Sequence, residues 1–164
     1  MQVAGLELGS TLSRAKDKHP ETECSTIRPT PQGVGVIIRD HEGSTVAAMS
    51  KRMPLSLGPL EAEAKALDEA IMFARDIGVQ DIIFESDSRI VYHALADPTN
   101  APISISSIVS GTRFRLPEFW TFETSHVRRQ AKKSAHALAA YASDIDSLVV
   151  WVEGCPPFIE SLVI

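Results

Sequence analysis

Two carboxylates, one histidine and one basic run are the residues of this chain best placed to do chemistry. Asp87 stands in "FESDSRIV", at a predicted strand-to-helix junction. In sheets with parallel strands, sites gather at the carboxyl ends of those strands, so an acid there is a candidate catalytic group. Asp is also a favoured helix N-cap, although Ser86 and Ser88 beside it could cap equally well. Glu63 lies on a strongly patterned helix. Projected at about 100° per residue, Glu61, Asp68, Glu69 and Asp76 fall on its solvated side. Glu63 instead falls at the edge of the apolar stripe, beside Ala66, Ala70 and Ala74. An acid among small residues lets a ligand come close; a boundary residue reaching out to water gives the same pattern.

The basic run is "HVRRQAKK", with His126, Arg128, Arg129, Lys132 and Lys133. In a chain of formal net charge −5 it is the clearest basic cluster. It reads as a phosphate contact or as a solvated loop. His136 follows in "KKSAHALAAYA". With Ser134 as the expected N-cap, His136 falls in the first helical turn. It points away from the core face of Leu138, Tyr141, Ala142 and Ile145. A helix N-terminus favours negative charge, so a carboxylate would be its natural occupant.

The elements that must position these groups follow from patterning. "GVGVIIRD", "DHEGS" and "TVAAMSKR" read as a hairpin, with Gly43 suited to the turn. Leu60, Ala64, Leu67, Ile71 and Ala74 repeat at helical spacing, and Gly78 stops that helix. "DIIFES" is a strand whose apolar run suggests burial on both faces. "DSRIVYHALA" and "ISISSIVSGTRFRL" read as helices, "FWTFETSHV" as a strand, and a last helix runs to about Asp146. Strands interleaved with helices imply α/β, an antiparallel hairpin on a partly parallel sheet. Residues 1–32 are polar and broken by Pro20, Pro29 and Pro31, an irregular or disordered leader in which "QVAGLELGS" could form one strand. Residues 33–147 make the domain, and residues 148–164 an apolar tail able to pack as a short helix on the body.

The 164 residues suit one domain, with 44% hydrophobic and 23% charged content. The negative balance gives no global attraction to polyanions, so nucleic acid would need the local basic patch. Cys24 and Cys155 have neither framework nor zinc spacing, so no disulfide is expected and an intracellular, reducing setting is the default. No apolar run approaches the ~20 residues of a membrane span, and residues 1–20 lack signal-peptide organisation.

The order "GVGVIIRDHEG", "LEAEAKAL", "IIFESDSRIV" and "SHVRRQAKKSAHALA" resembles the ribonuclease H type 1 fold. It is most similar to the ribonuclease-H-like domains of plant genomes, many of them related to retrotransposon reverse transcriptases. The resemblance covers about Gly33 to Asp146. It implies hydrolysis of RNA in RNA–DNA hybrids by two Mg²⁺ (or Mn²⁺) ions held on four carboxylates, since such ions take hard oxygen ligands. Glu63 matches the family's helix glutamate and Asp87 its fourth-strand aspartate, so both become expected metal ligands. His136 takes the place of the last aspartate, in "AHALA" where the family has "AD-x-LA". The first aspartate is absent: "LELGS" offers Glu7 or Leu8 instead. The first strand is therefore doubtful and the two-metal site incomplete. Three readings follow: a full or weakened RNA–DNA hybrid endonuclease with Glu63, Asp87 and His136 catalytic, a non-catalytic nucleic-acid-binding domain, and a degenerate fragment or protein-interaction domain.

Overall fold

The computed structural model describes residues 3–11, 32–54, 57–126 and 133–162, the first of these segments by its backbone alone. Six strands form one sheet in the order β5-β4-β1-β2-β3-β6. They are β1 (Val3–Thr11), β2 (Gln32–Arg39), β3 (Thr45–Met53), β4 (Asp81–Ser86), β5 (Thr121–His126) and β6 (Leu148–Val152). The helices are α1 (Pro59–Asp76), α2 (Arg89–Ala96), α3 (Ile103–Arg115) and α4 (Lys133–Tyr141). β1 is the strand anticipated in "QVAGLELGS". It runs antiparallel to β2 and parallel to β4, and so lies centrally. β4 and β5 are parallel, while β2–β3 and β3–β6 are antiparallel.

The hairpin turn is built by Asp40, whose Oδ1 accepts from the backbone N–H of Glu42 and of Ser44, both at 2.9 Å. Gly43 supplies the left-handed residue at φ 84°. β2 is buried along almost its whole length because both faces are covered. Val34, Val36 and Ile38 join the larger core under α1, α2 and α3, while Ile37 packs with Ala48, Ala135, Leu138 and Ile159 under α4. The glycines of "GVGV" explain how α4 comes so close. A Cβ on Gly33 would lie 2.0 Å from the Ala139 carbonyl oxygen, and one on Gly35 2.2 Å from the Ala135 carbonyl oxygen. The buried Ser50 hydroxyl adds a hydrogen bond to the Leu138 carbonyl at 2.8 Å.

Three expectations are corrected. Asp68 and Glu69 do not face solvent; each is only 6% exposed. α1 carries the sheet on one side and α3 on another, and these neighbours bring charges. Lys51 of β3 meets Glu69 at 2.6 Å, Lys65 meets Asp68 at 2.7 Å and Glu69 at 3.4 Å, and Arg115 and the Thr112 hydroxyl both reach Asp68 Oδ1. Ser134 is not a cap: it lies buried inside α4, where its Oγ accepts from Arg39 Nη2 at 3.2 Å and donates to the Leu162 carbonyl at 3.3 Å. The apolar tail begins as a strand, β6 on the outer side of β3. A 3₁₀ turn at Pro157–Leu162 follows it. Trp151 of β6, Tyr141 and Phe158 form an aromatic trio, with Tyr141 stacked on Phe158 at 4.8 Å.

Two predictions come from this packing. Gly35→Ala sets a methyl against helix backbone that cannot swing aside, so it should cost about 2–3 kcal/mol; a urea melt measures it. Asp68→Ala leaves Lys65, Arg115 and Thr112 without their shared acceptor and should cost about 2–3 kcal/mol, given that both cations keep some solvent contact. Burial opposes the Lys65 ammonium, but Asp68 and then Glu69 outweigh it and hold its pKa above the ordinary 10.5. A raised pKa stabilises the fold fully below the unfolded value and loses that effect as pH rises through the folded value. The Asp68→Ala penalty should therefore be steady near neutrality and shrink only above pH 10.5, as melts at stepped alkaline pH would show.

Candidate active site

One expected site residue, Asp87, stands at the carboxyl end of β4. β4 ends at Ser86, and Asp87 is the next residue, half-buried. Helix capping falls to its neighbours: Ser88 Oγ accepts from the Val91 N–H at 3.4 Å, and Ser86 Oγ accepts from the Ser88 N–H at 3.2 Å. The capping role considered for Asp87 thus belongs to Ser88. Glu63 sits in the N-terminal half of α1, half-buried between the buried alanines Ala62, Ala64 and Ala66. His136 lies on α4, also half-buried, on the opposite side of the sheet from α1.

β1 supplies the strand next to β4. Glu7 is level with Glu85, so two residues further on Gly9 comes level with Asp87, with Leu8 just before it. Glu7 is the one acidic residue of this strand. Among the described residues no three His, Cys, Asp or Glu side chains come together as a group able to hold a metal ion. Glu63, Asp87 and His136 therefore do not form a three-donor site. The donor chemistry points the same way, because a neutral imidazole is a poor ligand for Mg²⁺ and suits softer metals. These residues do not fit the four-carboxylate, two-ion group that the resemblance implies.

His126 ends β5 beside Asp87. Its Nε2 lies 3.3 Å from the Asp87 carbonyl oxygen, and its ring meets Tyr92 edge-on at 6.4 Å. The imidazole thus touches the backbone of the β4–α2 turn, a contact between residues 39 apart in the chain that no local pattern signals. Lys133, the first residue of α4, is exposed. Arg128, Arg129 and Lys132 lie outside the described residues.

The comparisons agree with this architecture. The sequence profile of the family described as reverse transcriptase-like matches residues 23–142. The N-terminal RNase H domain of a Mycobacterium tuberculosis protein, solved as a fusion with maltose binding protein, superposes with a TM-score of 0.69 at 16% identity, covering 88% of this chain and 95% of that one. RNase H1 of the halophilic archaeon Halobacterium salinarum gives 0.68 at 24% identity, over 87% of this chain and 97% of that one. A compost-derived RNase H1, solved in complex with an RNA/DNA hybrid, gives 0.66 at 17% identity, over 88% and 97%. No curated protein matches. The chain belongs to the reverse transcriptase-like family and folds as a ribonuclease H type 1 domain.

Proposed function

We propose that this domain engages RNA–DNA hybrids with its hydrolytic centre cut down to Glu63 and Asp87. One observation carries this reading. Asp87 follows the carboxyl end of β4, while the resemblance implies aspartates where β1 carries Glu7 and Leu8 and α4 carries His136. Removing two of four anionic ligands weakens the hold on Mg²⁺ or Mn²⁺, since affinity for hard cations depends on the charge of the oxygen ligands. The ligand class is supported by the compost-derived RNase H1, which was solved with an RNA/DNA hybrid. The chain's own basic run, His126, Arg128, Arg129, Lys132 and Lys133, supplies charge suited to phosphates. His126 then has a second task, holding the turn that carries Asp87 through the carbonyl contact.

The purified chain should cleave a labelled RNA–DNA hybrid negligibly in Mg²⁺ and at most weakly in Mn²⁺. Restoring acids with Leu8→Asp and His136→Asp together should raise cleavage by tenfold or more, roughly 1.4 kcal/mol off the barrier. Asp87→Asn in that background should abolish the gain. Efficient cleavage by the unaltered chain, lost in Asp87→Asn, would sink the reading and make the reduced ligand set sufficient.

Binding is tested separately. The affinity for hybrid should fall with salt, and Arg128→Ala with Arg129→Ala should flatten the log–log slope by about 2 if each meets one phosphate. A salt-independent affinity would remove the phosphate role of the basic run.

A further inference from the structure

β6 leaves two things exposed. It is last in the strand order, so its outer backbone edge has no strand partner among the described residues. Leu148, Val150 and Val152 also alternate outward on one face, 49%, 40% and 60% exposed. The register sets Leu148 beside Lys51 and Val150 beside Met49, and Lys51 reaches Glu69 of α1, so this face looks toward α1. Between them lies an open groove of about 320 Å³ whose apolar lining is Met49, Met72, Phe73, Ile77, Leu148 and Val150. Edge strands of soluble proteins are usually guarded by a charge, a proline or a bulge. "LVVWV" carries no charge and no proline, and its pairing with β3 runs without a register shift.

The surroundings are acidic. Asp76 borders the groove and is exposed; among the described residues it pairs across the surface with its neighbour Arg75 at 3.3 Å, an arrangement worth little in water. Asp144, Asp146 and Glu153 flank the strand and are exposed. Glu153 takes a left-handed backbone at φ 57° directly after β6, while its N–H donates to the Val46 carbonyl at 2.9 Å. The nearby cations are engaged: Lys51 with Glu69, and Arg52 with the Ile145 carbonyl at 3.4 Å.

We propose that β6 is a docking edge for an extended segment of a partner protein, alternately apolar and flanked by basic residues. Main-chain hydrogen bonds to the outer edge of β6 would add a seventh strand, and every second side chain would drop into the groove beside Met72. Basic residues at its ends would meet Asp76, Asp146 and Glu153. The same charges disfavour a second copy of this chain. Antiparallel pairing of two β6 strands about Val150 would set Asp146 of one opposite Gly154 and Ser147 opposite Glu153 of the other, so that the acids crowd diagonally at both ends. This inference does not depend on whether the domain cleaves or binds hybrids.

The test uses the full chain and a labelled peptide of alternating valine and threonine with lysines at both ends. Fluorescence anisotropy should show saturable binding. Binding should be at least tenfold weaker for the glutamate-flanked peptide, and equally weakened when alternate peptide nitrogens on the pairing edge are methylated. Amide exchange in residues 148–152 should slow on binding. Val150→Lys should abolish binding without lowering the melting temperature, and Asp76→Lys should narrow the preference for lysine flanks. Absence of saturable binding, or undiminished binding of the methylated peptide, would overturn the proposal. So would sedimentation showing that the chain dimerises alone and that Val150→Lys makes it monomeric, which would make a second copy the occupant.

Discussion

Five backbone pairs between β1 and β4, from Val3–Asp81 to Glu7–Glu85, join the antiparallel half of the sheet to the parallel half. On one side stand the hairpin β2–β3 and the added strand β6; on the other stand β4 and β5. α1 packs across the join on one face and α4 on the other. If the ladder were absent, the facing edges of β2 and β4 would both be open, and neither helix would have a continuous surface to cover. The position of Asp87 relative to the hairpin therefore depends on a strand with no aspartate of its own.

The second constraint is the seat of α4. Gly33 and Gly35 give the helix backbone direct access to β2, which fixes how deeply α4 sits and hence where His136 stands. α4 takes this close seat and carries His136 where the resemblance implies an acid. Packing and chemistry have parted here. Small residues at Ala135, Ala139 and Gly35 make the interface, while the imidazole carried on the same helix is a poor ligand for a hard cation.

Much of this was legible in the residues. The β-branched "GVGVII" and "DIIFES" runs, the turn at Gly43 and the helical spacing from Leu60 to Ala74 each state a local preference that the tertiary structure respects. The places of Glu63 on α1 and of Asp87 after β4 were legible because their neighbours are small or lie at a strand end. What was not legible needed partners distant in the chain. Periodicity counts one buried face of α1, whereas α3 and Lys51 bury a second one around Asp68 and Glu69. A five-residue apolar run such as "LVVWV" fits a strand or a helix equally well until β3 offers it an edge. Ser134 has the chemistry of a cap, and only the position of Arg39 and Leu162 shows that its hydroxyl is spent inside.

The parallel pairing of β1 has one more consequence, in time rather than in space. β1 is synthesised before β2, β3 and α1, and its partner β4 follows all of them. Half of its hydrogen-bonding capacity must wait until that intervening chain has been made and has crossed over the sheet. Contacts that close long loops are the slow ones in folding, because chain entropy is spent before any contact repays it. Until then β1 presents a bare edge, and the growing chain is at its most exposed to misplaced strand pairing.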